Sequence, residues 1–210
     1  CYDANKAQQV VCFAPGEYNT SNTTISRPIV FDGGLGNVRL YHPNSYIQFT
    51  CWNNFSNARS GMRRLTFSGP TTWGGKNAGA VQVSNNAIID NVVFSNAVAG
   101  IEHNPAQGVV RVKGGVITNC LITCCRSPNP SRDKNTYGII NMTSGLLANT
   151  RITSCLSEGT TAGVGGAVYM TGGIVRNCLF DNNRAYTQGS GIYVNPTASE
   201  CRIENCTVVD

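Results

Sequence analysis

Short apolar runs of three to five residues, separated by glycine and asparagine, recur along most of the chain. Residues 165–180, GGAVYMTGGIVRNCLF, hold three such runs around one asparagine. Asparagine returns in the same setting at Asn91, Asn119, Asn149, Asn177 and Asn205, at intervals of 28, 30, 28 and 28 residues. Two residues before each stands Ile89, Ile117, Leu147, Val175 or Ile203, and three after each stands Phe94, Ile122, Ile152, Phe180 or Val208. Self-similarity at such a period marks a solenoid, in which each unit buries its apolar face only by stacking on the next. Runs this short, broken by glycine, are strands rather than helices.

From residue 79 each repeat holds a first run (80–83, 109–112, 139–142, 167–170, 191–194) and a second (87–89, 115–117, 145–147, 173–175, 201–203). A third run follows the asparagine. The pattern predicts an all-β, parallel β-helix of three sheets and about seven coils with stacked asparagine turns. Alternation along a strand assigns the faces. Val81/Val83, Val110/Val112, Ile140/Met142, Val168/Met170 and Ile192/Val194 point inward. Gln82, Arg111, Asn141, Tyr169 and Tyr193 point outward, as do Ser84, Lys113, Thr143, Thr171 and Asn195. The asparagines are expected in a tight, partly buried turn, where identical amides on successive coils bond to one another.

The whole chain, 1–210, reads as one elongated domain: an entry segment 1–34, irregular coils 35–78 and regular coils 79–210. In the irregular part, strands are expected at 38–41, 46–50 and 65–67, with Trp52 and Trp73 in connecting loops, and Phe67 stands 27 residues before Phe94. The last residues, 206–210, lie within a third run, so either further coils or end-to-end stacking between molecules is expected beyond them.

Composition agrees with a buried β-structure: 41% hydrophobic, 13% charged, and 23 glycines among 210 residues. No apolar run approaches the roughly 18 residues of a membrane span. A net charge of +5 is too mild to imply a nucleic-acid partner. The ten cysteines allow two readings. Cys120, Cys178 and Cys206 each follow a repeat asparagine, with Thr150 in the remaining slot, and would stack inside as small apolar thiols. Cys125 and Cys155 share a register on neighbouring coils, where a strand spacing of about 4.8 Å brings a disulfide within reach. Cys1–Cys12 is the other candidate pair. No CxxC occurs and His42 and His103 stand away from the cysteines, so no zinc site is expected.

The repeats, with Ala14-Pro-Gly-Glu-Tyr18 and IVFDGG at 29–34, resemble right-handed parallel β-helix proteins of the pectin-lyase-like fold. GGAV at 165–168 and FDNN at 180–183 are similar to repeats of bacterial polymorphic outer-membrane proteins and other secreted surface proteins. The resemblance covers essentially the whole chain. In carbohydrate enzymes of that fold the substrate lies along the outer face of the first sheet and its adjoining loops. Here that implies the row from Gln82 to Tyr193, Glu102 and His103 in the loop before Arg111, and the 124–137 loop with Arg126, Arg132, Asp133 and Lys134. Arg111, Lys113, Arg126, Arg132 and Lys134 form a candidate basic patch for the carboxylates or sulfates of an acidic glycan. Tyr169 and Tyr193 are a candidate platform for sugar rings. The enzyme signatures of the fold fail: Arg126-Ser-Pro is followed by Arg132 one residue late for RxPxxR, and the Trp-Ile-Asp-His and Gly-His-Gly motifs are missing. Calcium needs several carboxylates together, and Asp90 and Asp181 stand on separate turns.

The expectation is therefore a secreted or cell-surface structural or adhesive module. Its partner is an acidic glycan or a neighbouring cell surface, and it uses no metal or cofactor. The second expectation is an acidic-polysaccharide lyase, with Lys113 as base and Arg111 or Arg132 neutralising a carboxylate. A self-assembling fibre subunit is the third.

Overall fold

The computed structural model describes residues 9–20, 23–41, 47–51, 59–68, 81–99, 108–128, 136–158, 165–195 and 200–209. Cys1, His42, Trp52, Trp73, Glu102, His103, Arg132, Asp133 and Lys134 lie outside the described residues.

Among the described residues every strand pairing is parallel, and the strands stack into columns in which residues of successive coils stand in register. The first column runs from Thr23–Ile25 through Ile47–Cys51, 81–85, 110–114, 140–144 and Val168–Met170 to Ile192–Val194. The second runs from Gln9–Cys12 through Ile29–Asp32, 61–63, 88–90, 116–118, 146–148 and Gly173–Arg176 to Cys201–Glu204. The third runs from Gly16–Asn19 through Val38–Tyr41, 66–68, 92–95, Leu121–Thr123, Arg151–Thr153 and Leu179–Asp181 to Thr207–Val209. Among the described residues the first column has seven rungs and the second and third have eight, because residues 9–19 supply one further rung to each. A short fourth column, Arg126–Ser127, Leu156–Ser157 and Arg184–Ala185, follows the third.

The expected inward positions form the core. Val81, Val83, Val110, Val112, Ile140, Met142, Val168 and Met170 are fully buried, as are Phe94, Ile122, Ile152 and Phe180. On the last described rungs Val194, Ile203 and Val208 are exposed at 40%, 47% and 55%, with no later described coil to cover them. Between the first and second columns the chain bends at Gly115, Gly145 and Gly173, which adopt positive φ of 73°, 93° and 98°. A Cβ at Gly145 would stand 2.7 Å from the Gly115 oxygen, and one at Gly173 would stand 2.8 Å from the Gly145 oxygen. Glycine is required there by close backbone approach as well as by conformation.

The asparagine turns differ from expectation. Asn91, Asn119, Asn149, Asn177 and Asn205 are exposed, and all adopt left-handed φ between 47° and 55°. Of the amides, Asn177 donates to Asn149 at 3.2 Å, while Asn149 reaches Thr118 at 3.5 Å and Asn119 reaches Asp90 at 2.8 Å. Asparagine recurs chiefly because it tolerates the left-handed conformation. An asparagine-to-asparagine bond is one of several ways its side chain is used.

Cys120, Cys125, Cys155 and Cys178 are buried free thiols, while the expected Cys1–Cys12 pair rests on Cys1, outside the described residues. Cys125 and Cys155 are free and buried, and Cys12 is free and exposed. In-register side chains on parallel strands keep their Cβ atoms about one rung, ~4.8 Å, apart, beyond the roughly 3.5–4.5 Å that a disulfide prefers. The Cys125 thiol lies 3.4 Å from the Thr123 carbonyl oxygen, and the Cys155 thiol lies 3.3 Å from that of Thr153. Cys120 and Cys178 are buried in a shared register with Thr150. Each donates to the carbonyl two residues back (Thr118 at 3.1 Å, Arg176 at 3.2 Å), as the Thr150 hydroxyl does to Ala148 at 2.8 Å. Burial pushes the Cys120 thiol up to about 12 and the Cys178 thiol up to about 11, so both stay protonated and unreactive at neutral pH.

Candidate ligand-binding face

The outward row of the first column is one continuous ladder, Gln82–Arg111–Asn141–Tyr169–Tyr193. It is more enclosed than an open sheet face. Gln82, Asn141 and Tyr169 are only 6%, 3% and 5% exposed, whereas Arg111 and Tyr193 are half-buried. Register explains part of this. Identical side chains one rung apart stack, and the Tyr169 and Tyr193 rings lie 5.8 Å apart at 8°. Tyr137, at the end of the 124–137 segment, stacks on Tyr169 at 4.4 Å and 18°. The Asn195 amide donates to the Tyr169 hydroxyl at 2.6 Å. Tyr169 therefore has both ring faces and its hydroxyl engaged. The rings left half exposed are those at the two ends of the stack, Tyr137 and Tyr193.

Arg111 and Lys113 lie two residues apart on the strand Val110–Thr118, hence on one face. Burial lowers the pKa of Arg111, and burial followed by repulsion from Arg111 lowers that of Lys113. Ser144 stands opposite Lys113 across a bulge, in place of the Thr143 expected there. Thr143 instead donates to the Val112 carbonyl at 3.4 Å. Arg126 does not join this pair. It belongs to the fourth column and is ion-paired with Glu158. Of the expected basic patch, then, the structure brings together Arg111 and Lys113, sets Arg126 apart with its charge matched, and leaves Arg132 and Lys134 outside the described residues.

A second charged cluster escaped the sequence reading. The Asp32 side chain is 2% exposed, while Arg63 and Arg64 beside it are 42% and 40% exposed. Asp32 accepts from Arg63 Nε at 2.8 Å, from Arg64 Nε and Nη2 at 2.9 and 2.6 Å, and from the Gly34 amide at 2.8 Å. The Arg64 bonds, more than any other contact, hold its carboxyl well below the usual carboxylate range. With both oxygens already occupied by four donors, this carboxylate is a clamp and has no lone pair left for proton transfer or a ligand. Its sequence signal was the IVFDGG turn and the Arg63-Arg64 pair. Nothing in the repeat links two segments about thirty residues apart at that end of the chain. Among the described residues no group of three His, Cys, Asp or Glu side chains is placed to hold a metal ion.

Parallel columns, in-register ladders and glycine or left-handed corners define the parallel β-helix class. Residues 53–210 match the family described as the right handed beta helix region, and the chain belongs to that family. The expected right-handed, all-β solenoid is therefore shown. No curated protein and no solved structure matches the chain.

Proposed function

We propose that the chain is a secreted or cell-surface scaffold module that binds an acidic glycan along the outward face of the first column without transforming it. The observation that carries this reading is the pairing of Arg111 and Lys113 on one strand face, each with its positive charge disfavoured by burial. Two partly desolvated cations gain strongly from an incoming carboxylate or sulfate. Tyr193 and Tyr137, at the ends of the ring stack, are the surfaces for a sugar ring, and Tyr169 supports them from within. Among the described residues this ladder carries no carboxylate to act as a paired acid and base.

One observation favours a second reading. Burial and Arg111 move Lys113 toward its neutral form, the state a lyase base needs to take a proton beside a uronate carboxylate that Arg111 neutralises. Calorimetric titration with a polyuronate, a sulfated glycan and a neutral glycan, run beside an absorbance assay for the unsaturated product, separates the two. The scaffold reading expects binding of the charged glycans, no product, and a loss of affinity of about tenfold or more in Arg111→Ala and Lys113→Ala. Product formation abolished by Lys113→Ala would replace it with the lyase reading. Failure to bind either charged glycan would overturn both.

A further inference from the structure

The outward face of the second column is unlike that of a solvated sheet. Water-facing positions of a half-buried strand are normally polar, yet Ile88, Val116, Leu146 and Ile174 stand in one uninterrupted ladder, all half-buried. Two residues further along each strand, on the same face, runs a second ladder: Arg63, Asp90, Thr118, Ala148, Arg176 and Glu204. Its charges read plus, minus, neutral, neutral, plus, minus. Read from the other end with the signs inverted, the order is the same.

We propose that this face is the interface of an antiparallel homodimer, whose two-fold axis runs along the strand direction between the Val116 and Leu146 rungs. A two-fold axis in the plane of the interface and along the strands reverses the order of coils while keeping each position along the strand. Like ladders therefore face like ladders. Ile88 meets Ile174 of the second copy, and Val116 meets its Leu146. Asp90 meets Arg176 of the second copy, and Arg63 meets its Glu204. Nearest the axis, Thr118 meets Ala148, so the two smallest side chains of the charged ladder stand where the sheets approach most closely. The six rungs span about 24 Å at the usual strand spacing.

The ionic partners inside one chain exhaust only part of these charges: Glu204 is already paired with Arg202 at 2.6 Å and Arg63 with Asp32 at 2.8 Å, each still partly exposed. Asp90 is held by the Asn119 amide at 2.8 Å and makes no ion pair among the described residues. Arg176 approaches Glu204 at 4.0 Å and is 47% exposed. Arg63, anchored on Asp32, is 42% exposed. A second copy in the opposite direction gives Asp90 a cation and Arg176 a closer anion, and it covers the aliphatic ladder. A copy placed with its coils running the same way reverses position along the strand and sets the charged ladder against the aliphatic one. The interface closes at two subunits, whereas end-to-end stacking of coils builds open polymers.

Sedimentation equilibrium of the whole chain from about 1 µM to 1 mM tests this. The expected result is a monomer–dimer equilibrium that weakens with salt. Arg176→Asp raises the dissociation constant by about tenfold or more, and the double swap Asp90→Arg with Arg176→Asp restores it to within about threefold. Leu146→Glu, an outward change, leaves a monomer with unaltered circular dichroism. A monomer at every concentration, open-ended polymers, a dimer indifferent to Arg176→Asp and Leu146→Glu, or a folded double swap that fails to restore association would each overturn the proposal.

Discussion

Besides its glycine bends, a regular coil turns through left-handed residues other than glycine at two recurring corners, and these make a natural comparison. The first corner, between the second and third columns, is Arg64, Asn91, Asn119, Asn149, Asn177 and Asn205, with φ from 47° to 55°. The second, five residues later, is Asn96, Cys124, Ser154 and Asn182, with φ from 51° to 55°. The backbone repeats equally well at both, but the side chain repeats only at the first. Conformation is thus one demand and side-chain bonding another. At the first corner an amide also reaches the preceding rung, at Asp90, Thr118 or Asn149. At the second, Asn182 does so to Ser154 at 3.3 Å, while Cys124 and Ser154 lie close to the hydroxyls of Thr123 and Thr153 in their own coil.

Arg64 is the exception at the first corner, and it yields the largest expected effect. With no amide to ease the left-handed turn, it is held by the buried Asp32 carboxylate. Asp32→Asn should cost about 2–3 kcal/mol in urea unfolding at neutral pH, since charge-assisted bonds to a buried acceptor are lost. The pH dependence has a definite sign. Because the native carboxyl is held below its ordinary pKa, its contribution is complete above about pH 4 and is lost as pH falls below that. The gap between parent and variant should therefore narrow in acid. An unchanging gap would mean that the clamp does not act through charge.

A smaller effect separates the two demands at a regular corner. Asn149→Ala should destabilise by about 1 kcal/mol, the ordinary cost of a left-handed alanine. Asn149→Gly should stay within about 0.5 kcal/mol of the parent, because glycine meets the conformation without the amide. Equal losses in both would show that the bonds to Thr118 and Asn177, rather than φ, select asparagine. The smallest effect lies at the second corner. Cys124→Asn and Ser154→Asn should each raise the unfolding free energy by about 0.5 kcal/mol, by supplying a residue that tolerates φ near 50°. No gain in thermal or urea unfolding would mean that this corner carries no conformational cost to relieve.

The same contrast explains how much could be read before the structure. Inward positions such as Val110/Val112 and Val168/Met170 were legible because period-two alternation and the 28-residue interval specify them together. The buried register of Cys120, Thr150 and Cys178 was legible for the same reason. The second corner was not, because Asn96, Cys124, Ser154 and Asn182 share a backbone angle rather than a chemistry. Enclosure of the outward row was missed because alternation assigns a side chain to a face but does not say what else reaches that face. Tyr137, outside the repeat, stacks on Tyr169 from a connecting segment. Of the candidate basic residues, Arg111 and Lys113 were readable as a pair from their spacing, while the Arg126–Glu158 pairing joins neighbouring coils of a column too short to register as a run.

In-register stacking has a further consequence for how such a chain can change length. Position 149 on one rung is equivalent to position 177 on the next, with matching neighbours above and below: Leu147 over Val175, Ile152 over Phe180. Excising the segment from one corner to the next would rejoin equivalent backbone points and leave every remaining ladder aligned. Duplicating it would do the same. Gain or loss of whole turns is then nearly silent for the fold, whereas loss of a single residue would shift the inward row of that rung to the outside. Selection can set the reach of the module in steps of one coil without redesigning its interior.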